Sequence, residues 1–315
     1  MNHTTYKYSI IFLIEEKHDD FLQFLEKTYE LLSSRSDSFE ILILDNGTGY
    51  SMKNYQPRLL NLNCPLKAFA LSKRTSQAVC LKGLLKECHG EILIVFGSHQ
   101  QITEDSFIHL LDSLDNGTDI VSPVRQNRVD PIFNQLQSRV FNSLVKRITK
   151  TNVNDLSCFV RIFRREVLAE TELYGDMYRY LPIFAERRGF KSKEVECINY
   201  QATSKTGLYG IKEYLDRIVG IFSLYFNTRF TRKPLRFFSA IGFIFFLIGI
   251  FILLYVFAEK FLLGKFIGNR NSLILATFLM VIGIQSASVG LLGEIIAFTH
   301  GRHKKEYVIG KKFDI

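Results

Sequence analysis

The stretch "EILIVFGSHQQITEDSF", Glu91 to Phe107, decides the fold. The apolar residues Ile92 to Val95 run into Phe96, Gly97, Ser98 and His99, and Thr103 with Asp105 and Ser106 then marks a capped helix start. That is a strand, a loop and a helix. In a nucleotide-binding α/β protein the end of such a strand is where ligand chemistry gathers. A diphosphate site would carry acidic residues there to hold a divalent cation, yet no carboxylate lies between Glu91 and Glu104.

The same grammar repeats outward from this stretch. "YSIIFLIEE" and "FEILILDNGTG" are apolar runs that end in polar residues. Between them, Phe21, Phe24, Leu25, Tyr29 and Leu32 fall near helical spacing, so the unit reads β-α-β, with parallel strands. "SQAVCLKGLLKECHG" is a helix leading into the quoted strand, "TEDSFIHLLDSLDNG" the helix after it, and "DIVSPV" one more strand. Such alternation over about 125 residues predicts an α/β, doubly wound sheet.

The C-terminal part has another character. Phe237 to Ala258 carries no charge, and a helix of that length covers roughly 33 Å, enough for a bilayer core of about 30 Å. Leu273 to Phe298 is a second long run, containing Gln285 and Glu294. A buried soluble hairpin is the alternative, but the first run has no polar face to show to water. Arg229, Arg232, Lys233 and Arg236 precede the first run, and Arg302, Lys304, Lys305, Lys311 and Lys312 follow the second. The connecting loop has Lys260, Lys265 and Arg270, partly offset by Glu259. This bias puts both chain ends, with the soluble domain, in the cytoplasm. Ile211, Tyr214, Leu215, Ile218 and Phe222 recur at helical spacing, as in an amphipathic helix on a membrane surface or at a domain edge. The expected organisation is a domain over 1–205, a juxtamembrane segment over 206–236, a two-helix membrane hairpin over 237–298 and a basic tail over 299–315.

The 40 Lys and Arg against 31 Asp and Glu give a formal charge of +9, which points to an anionic partner. No nucleic-acid-reading motif accompanies the basic residues, so nucleic acid is not the expected one. The 5 cysteines form no CxxC, which argues against a zinc site or disulfide scaffold and fits a reducing compartment.

In this order of features the chain resembles the family 2 glycosyltransferases with the GT-A fold, especially the branch that charges polyprenyl phosphates, including the bactoprenol glucosyltransferases. "FEILILDNGTG" resembles that family's strand ending in Asp-Asp-Gly-Ser. "LSKRTSQAVCLKGLLKECHGEILIVFGSHQQITED" resembles its Asn-x-Gly segment, helix, strand and Asp-x-Asp loop. "SPVRQNR" with "QSRVFNSL" resembles its Arg-rich region, and "GLLGEIIAF" the Gly-Glu near the end of its last span. The resemblance implies a Rossmann-like nucleotide-sugar domain, followed by an amphipathic juxtamembrane helix and two transmembrane helices in the inner membrane. It implies transfer of a sugar from a nucleotide sugar, with a UDP-linked one among the options, to a polyprenyl phosphate for cell-envelope or lipopolysaccharide modification. Membrane lipids, a second copy and an active homologue are the other partners it allows.

The resemblance also places the site. Asp45 and Asn46 fall where the family holds the nucleobase and ribose, although the same residues make an Asx-type turn without any ligand. The family's two metal-binding aspartates fall on Phe96 and Ser98. Mg²⁺ or Mn²⁺ is usual there, but Phe96 cannot ligate a hard cation and Ser98 is a weak substitute. No metal ligand set is therefore read from the sequence; His99 is one candidate ligand, or simply a solvated loop histidine. Lys73 and Arg74 can face the nucleotide diphosphate in place of the cation, or face an anionic membrane. Arg125, Arg128 and Arg139 fall where the family handles phosphate-bearing ligands, a task suited to the planar guanidinium fork. The family's Asp-Phe-Arg-Leu lies over "CFVRI", with Cys158 for the acid and Arg161 one place from the arginine, and Lys205 survives from a later basic pattern; the resemblance implies that Arg161 and Lys205 also hold the phosphate of the lipid. With so many departures on one ligand site, the second expectation is a non-catalytic relative that partners or regulates an active homologue.

Overall fold

The computed structural model describes residues 6–35, 37–49, 62, 64–115, 117–126, 143–147, 149, 151, 153–173, 175–200, 219–220, 234–263 and 271–301. The chain divides into two compact units between Gly220 and Ile221. The first contains a sheet of seven strands: β1 (Tyr6–Ile14), β2 (Phe39–Asp45), β3 (Leu66–Ala70), β4 (Gly90–Phe96), β5 (Ile120–Gln126), β6 (Arg161–Arg164) and β7 (Ser192–Ile198). Its spatial order is β3-β2-β1-β4-β6-β5-β7. β3, β2, β1 and β4 run parallel, and β6 enters antiparallel to both β4 and β5.

The central strands are apolar on both faces because helices cover both faces. Ile10, Phe12 and Ile14 of β1 point to one side, under α1 (Phe21–Ser33) and α3 (Glu104–Asp112). Ile11 and Leu13 point to the other, under α2 (Gln77–Leu84), α4 (Arg165–Glu170) and α5 (Leu181–Arg187). Of the residues whose helical spacing the sequence displays, α1 buries Phe21, Phe24, Leu25 and Leu32 and leaves Tyr29 half-buried. Thr103 is the N-cap residue of α3, but its side chain makes no capping bond. Its hydroxyl donates instead to Ser106 Oγ (2.9 Å), which accepts from Ile198 N (2.8 Å), so this helix start is fastened to the end of β7.

The second unit holds α6 (Pro234–Leu263) and α7 (Asn271–Gly301), both long and apolar enough to cross a membrane. Little of either is buried; Phe251, Phe261, Ile274 and Phe278 stand exposed, as lipid-facing residues do and core residues do not. The helices touch backbone to backbone: a Cβ on Gly242 would collide with the Gly283 carbonyl, and one on Gly283 with that of Gly242. Pro234 lacks an N–H, so the first free donor of α6 is Leu235 N, which donates to Glu294 Oε2 (3.3 Å). Glu294 is thus a cap on the partner helix. Apart from 219–220 and 234–236, the expected juxtamembrane segment lies outside the described residues, as does the basic tail beyond 301.

Candidate functional site at the carboxyl edge of the sheet

The carboxyl ends of β1, β2, β3 and β4 lie side by side, where open α/β sheets bind ligands. Asp45 ends β2, and its Oδ1 accepts from Thr48 N (2.9 Å) and Thr48 Oγ1 (2.6 Å), closing a turn with Gly47 at φ +71°. A β-carbon on Gly47 would collide with the backbone joining Lys73 to Arg74. Asn46 is fully buried and clasps the same loop, accepting from Thr75 N (2.8 Å) and donating to Thr75 O (2.7 Å). A carboxylate at position 46 could make only the first of these bonds. Asn46 therefore fastens the loop that presents the exposed side chains of Lys73 and Arg74.

Beneath that loop lies Glu15, just past the end of β1. Its carboxylate accepts from Gln77 Nε2 (2.7 Å) and Asn46 Nδ2 (3.5 Å). Burial pushes its pKa above the ordinary carboxylate value, while the Gln77 amide and the Arg74 charge pull it partly back. Asp176, from the segment before α5, accepts from Gln77 N (3.1 Å) and so ties the start of α2 to the site. Glu15, Gln77 and Asp176 are absent from the sequence reading. The signal for Glu15 is its place after an apolar strand; nothing local marks Gln77 or Asp176.

The two positions expected to hold a cation have other work. Phe96 is 2% exposed, stacked on Phe12 (5.3 Å between centroids) and edge-on to Phe24 and Phe107 (5.2 Å each). Ser98 Oγ accepts from Glu15 N (3.0 Å) and Glu16 N (3.3 Å), holding the loop after β1 against the loop after β4. Neither offers a hard cation an anionic oxygen, so Phe96 and Ser98 do not fit the divalent ion that this fold family implies. Among the described residues, no group of three or more His, Cys, Asp and Glu could hold a metal ion. His99 is partly buried, and burial, with His18 and Arg125 nearby, lowers its pKa to about 4, so it is neutral at physiological pH. It is not a lone solvated histidine, for the His18 ring lies 4.7 Å away.

The arginines fare unequally. Arg125 Nε donates to Asp155 Oδ2 (2.8 Å) and Nη2 to Ser157 Oγ (2.8 Å), an almost fully buried pair at the end of β5. Arg161 does not fit its expected contact with a lipid phosphate. It is fully buried in β6, donating to Val160 O (2.7 Å) and Asp155 O (3.3 Å), because β6 is threaded through the middle of the sheet. Arg128, Arg139 and Lys205 lie outside the described residues. The structure thus brings Asp45, Asn46, Lys73, Arg74 and Ser98 to one edge and takes Arg161 inside.

Comparison with known proteins agrees with this architecture. Residues 16–171 match the family described as Glycosyl transferase family 2. The chain is 24% identical over 297 residues to the dodecaprenyl-phosphate galacturonate synthase of Rhizobium johnstonii, covering 92% of this chain and 88% of the relative. It is 22% identical over 310 residues to the undecaprenyl-phosphate 4-deoxy-4-formamido-L-arabinose transferase of Serratia proteamaculans, covering 97% and 93%. Among solved structures, a mannosyltransferase from Pyrobaculum calidifontis, in complex with GDP-Man and Mn²⁺, shares the fold with a TM-score of 0.52 and 16% identity, over 95% of this chain and 83% of that one.

Proposed function

The chain belongs to the family 2 glycosyltransferases, in the branch that makes polyprenyl-phosphate sugars, and we propose that it transfers a sugar from a nucleoside diphosphate to a polyprenyl phosphate at a bacterial inner membrane. The observation that carries this reading is one chain joining a seven-stranded α/β sheet to two apolar helices, as relatives of that activity match it over nearly their whole length. The orientation proposed from the basic flanks leaves the domain and both ends cytoplasmic, on the side where nucleotide sugars are made.

In the proposed reaction a phosphate oxygen of the lipid attacks the anomeric carbon, and the bond from that carbon to the donor's phosphate breaks. The nucleoside diphosphate leaves with the electron pair. The attacking phosphate is already anionic near neutral pH, so positioning and leaving-group stabilisation dominate. Lys73 and Arg74, on the loop clasped by Asn46, are the cations proposed to face the departing diphosphate. Asp45 and Asn46 are proposed beside the nucleoside, and Arg128, Arg139 and Lys205 for the lipid phosphate. Arg125 is proposed as a positioning residue through Asp155.

A non-catalytic partner of an active homologue is the second reading, favoured by the ring of Phe96 where an aspartate is expected. The test is a transfer assay with the detergent-purified full chain, polyprenyl phosphate and a panel of UDP-sugars including UDP-galacturonate and UDP-glucose, with the lipid product identified by mass spectrometry. A polyprenyl-phosphate sugar that vanishes in the Lys73→Ala, Arg74→Ala double variant supports the first reading. No product with any donor, together with co-purification of an active homologue at native expression, supports the second.

A further inference from the structure

In α7 the other polar side chains of the span are accounted for. Glu294 caps Leu235 N, and the hydroxyls of Thr277 and Ser288 donate back into their own helix, to Ile274 O (2.9 Å) and Ile284 O (3.1 Å). Gln285 is different: it is exposed, and among the described residues its amide has no hydrogen-bond partner. It stands near the middle of the run from Leu273 to Phe298, about 18–20 Å along the helix from either end. Half the bilayer core is about 15 Å thick, so the side chain cannot reach water on either side. Nor can it turn to α6. That helix packs on Ala276, Gly283 and Gly290 of α7, and at about 100° per residue Gln285 points about 160° away from Gly283.

An apolar side chain facing outward needs no protein partner, because lipid tails serve it equally well. An amide does need one, since hydrocarbon offers it neither donor nor acceptor. Gln285 also belongs to a pattern. Phe278, Val281, Gln285, Ser288 and Leu292 are all exposed and recur at alternating steps of three and four, the spacing of a seam between paired helices. The amide carries an acceptor and donors together, so an identical amide satisfies it in both directions. Two copies inserted with the same topology present parallel helices, and a two-fold axis between them sets each seam position against its own copy.

We infer that α7 pairs with α7 of a second copy of this chain along this seam, the two Gln285 amides exchanging hydrogen bonds near the bilayer centre. Ser288, one turn on, is short enough to let the helices approach there. The pair uses no residue of the first unit, and it forms whether or not the chain transfers a sugar. It places two sheet domains on the same side of one membrane patch.

The test begins with full chains labelled separately with donor and acceptor dyes and reconstituted together in phosphatidylcholine vesicles, where energy transfer is followed as the protein is diluted in lipid. Association is expected to weaken about three- to thirtyfold in Gln285→Leu, the worth of an interhelical amide hydrogen bond, and to be largely kept in Gln285→Asn. Leucine makes the helix more apolar, so a loss of pairing cannot come from failed insertion. Single cysteines then map the contact by oxidative cross-linking in the same vesicles. The five native cysteines all lie in the first unit, and the wild type serves as the blank. Val281→Cys and Ser288→Cys, on the seam, should cross-link well above Ile284→Cys and Leu291→Cys, which are exposed but lie to its side. Adding Gln285→Leu should suppress the seam cross-links. Absence of energy transfer in the wild type, equal cross-linking at all four positions, or association unchanged in Gln285→Leu would each overturn the inference. So would a photo-cross-linker at position 281 that, in native membranes, captures another membrane protein and never a second copy of this chain.

Discussion

Restoring the aspartate that the family places at position 96 is the obvious attempt to give this chain an ordinary metal site, and Phe96→Asp is expected to unfold it instead. The Phe96 ring touches Phe12, Phe24 and Phe107 at centroid distances of 5.2–5.3 Å and is almost wholly enclosed. Truncating a buried Phe costs about 3–5 kcal/mol. Placing a carboxyl in the same apolar pocket without a hydrogen-bond partner adds about 1–3 kcal/mol. The sum, about 4–8 kcal/mol, is comparable with the whole stability of a typical domain, about 5–15 kcal/mol. At about 2–4 °C per kcal/mol for a domain of this size, the midpoint should fall by at least about 8 °C. Thermal unfolding of the full chain in detergent, followed by circular dichroism, measures it. Phe96→Leu, which refills most of the volume, should lose less than half as much. A Phe96→Asp protein that melts within about 3 °C of the wild type and gains Mn²⁺ affinity would refute the reasoning, because it would show that position 96 can turn out of the core at little cost.

Other perturbations test other parts of the site. His99 is held at about 4 against an ordinary 6.5. The unfolded chain therefore binds the extra proton first, and stability should fall by up to about 3 kcal/mol as pH drops from 6.5 to 4. Subtracting the His99→Gln unfolding curves across that range should isolate this component. Gly47→Ala puts a methyl group into the Lys73–Arg74 backbone at a positive φ. It should cost at least about 1–3 kcal/mol and weaken binding of any nucleoside diphosphate, read by calorimetry. Arg125→Ala takes the guanidinium from a buried carboxylate, Asp155, that keeps its bonds from Ser157 and Cys158, and should destabilise the fold by about 3 kcal/mol in chemical denaturation. A second change, Asp155→Asn, should recover part of that loss if the pair and not a bound phosphate is responsible.

The strands that were legible in the sequence are those buried on both faces. β1, β2 and β4 are continuous apolar runs because helices cover each side, and the helix between β1 and β2 shows its packed stripe directly. β3 and β7 lie at the sheet edges, β3 carrying Lys67 and β7 carrying Lys193, Glu194 and Glu196, so neither has that signature. β6 is only four residues long and begins and ends in arginine; its central place comes from pairing with β4 and β5, which nothing in "RIFR" announces. The site follows the same division. Asp45, Asn46 and Ser98 stand at strand ends and can be found by reading along the chain. The Glu15–Gln77 bond joins residues 62 positions apart, and the meeting of His18 with His99 likewise depends on β1 and β4 being neighbours. The burial of Arg161 is hidden in the sequence for the same reason, since it depends on where β6 is inserted.

The contact between Leu235 and Glu294 also has a consequence for biosynthesis. Fifty-nine positions separate donor from acceptor, and a ribosome makes the donor first. When α6 enters the bilayer, its first free amide has no protein acceptor, and it must keep water or a lipid headgroup until the end of α7 arrives. The hairpin therefore closes at this end only when the second helix is nearly complete. A chain stopped before residue 294 would leave the start of α6 hydrated, pulling that turn toward the interface. Glycosylation-mapping of truncated chains should find α6 shallower when Glu294 has not been made, and Glu294→Leu in the full chain should shift it the same way.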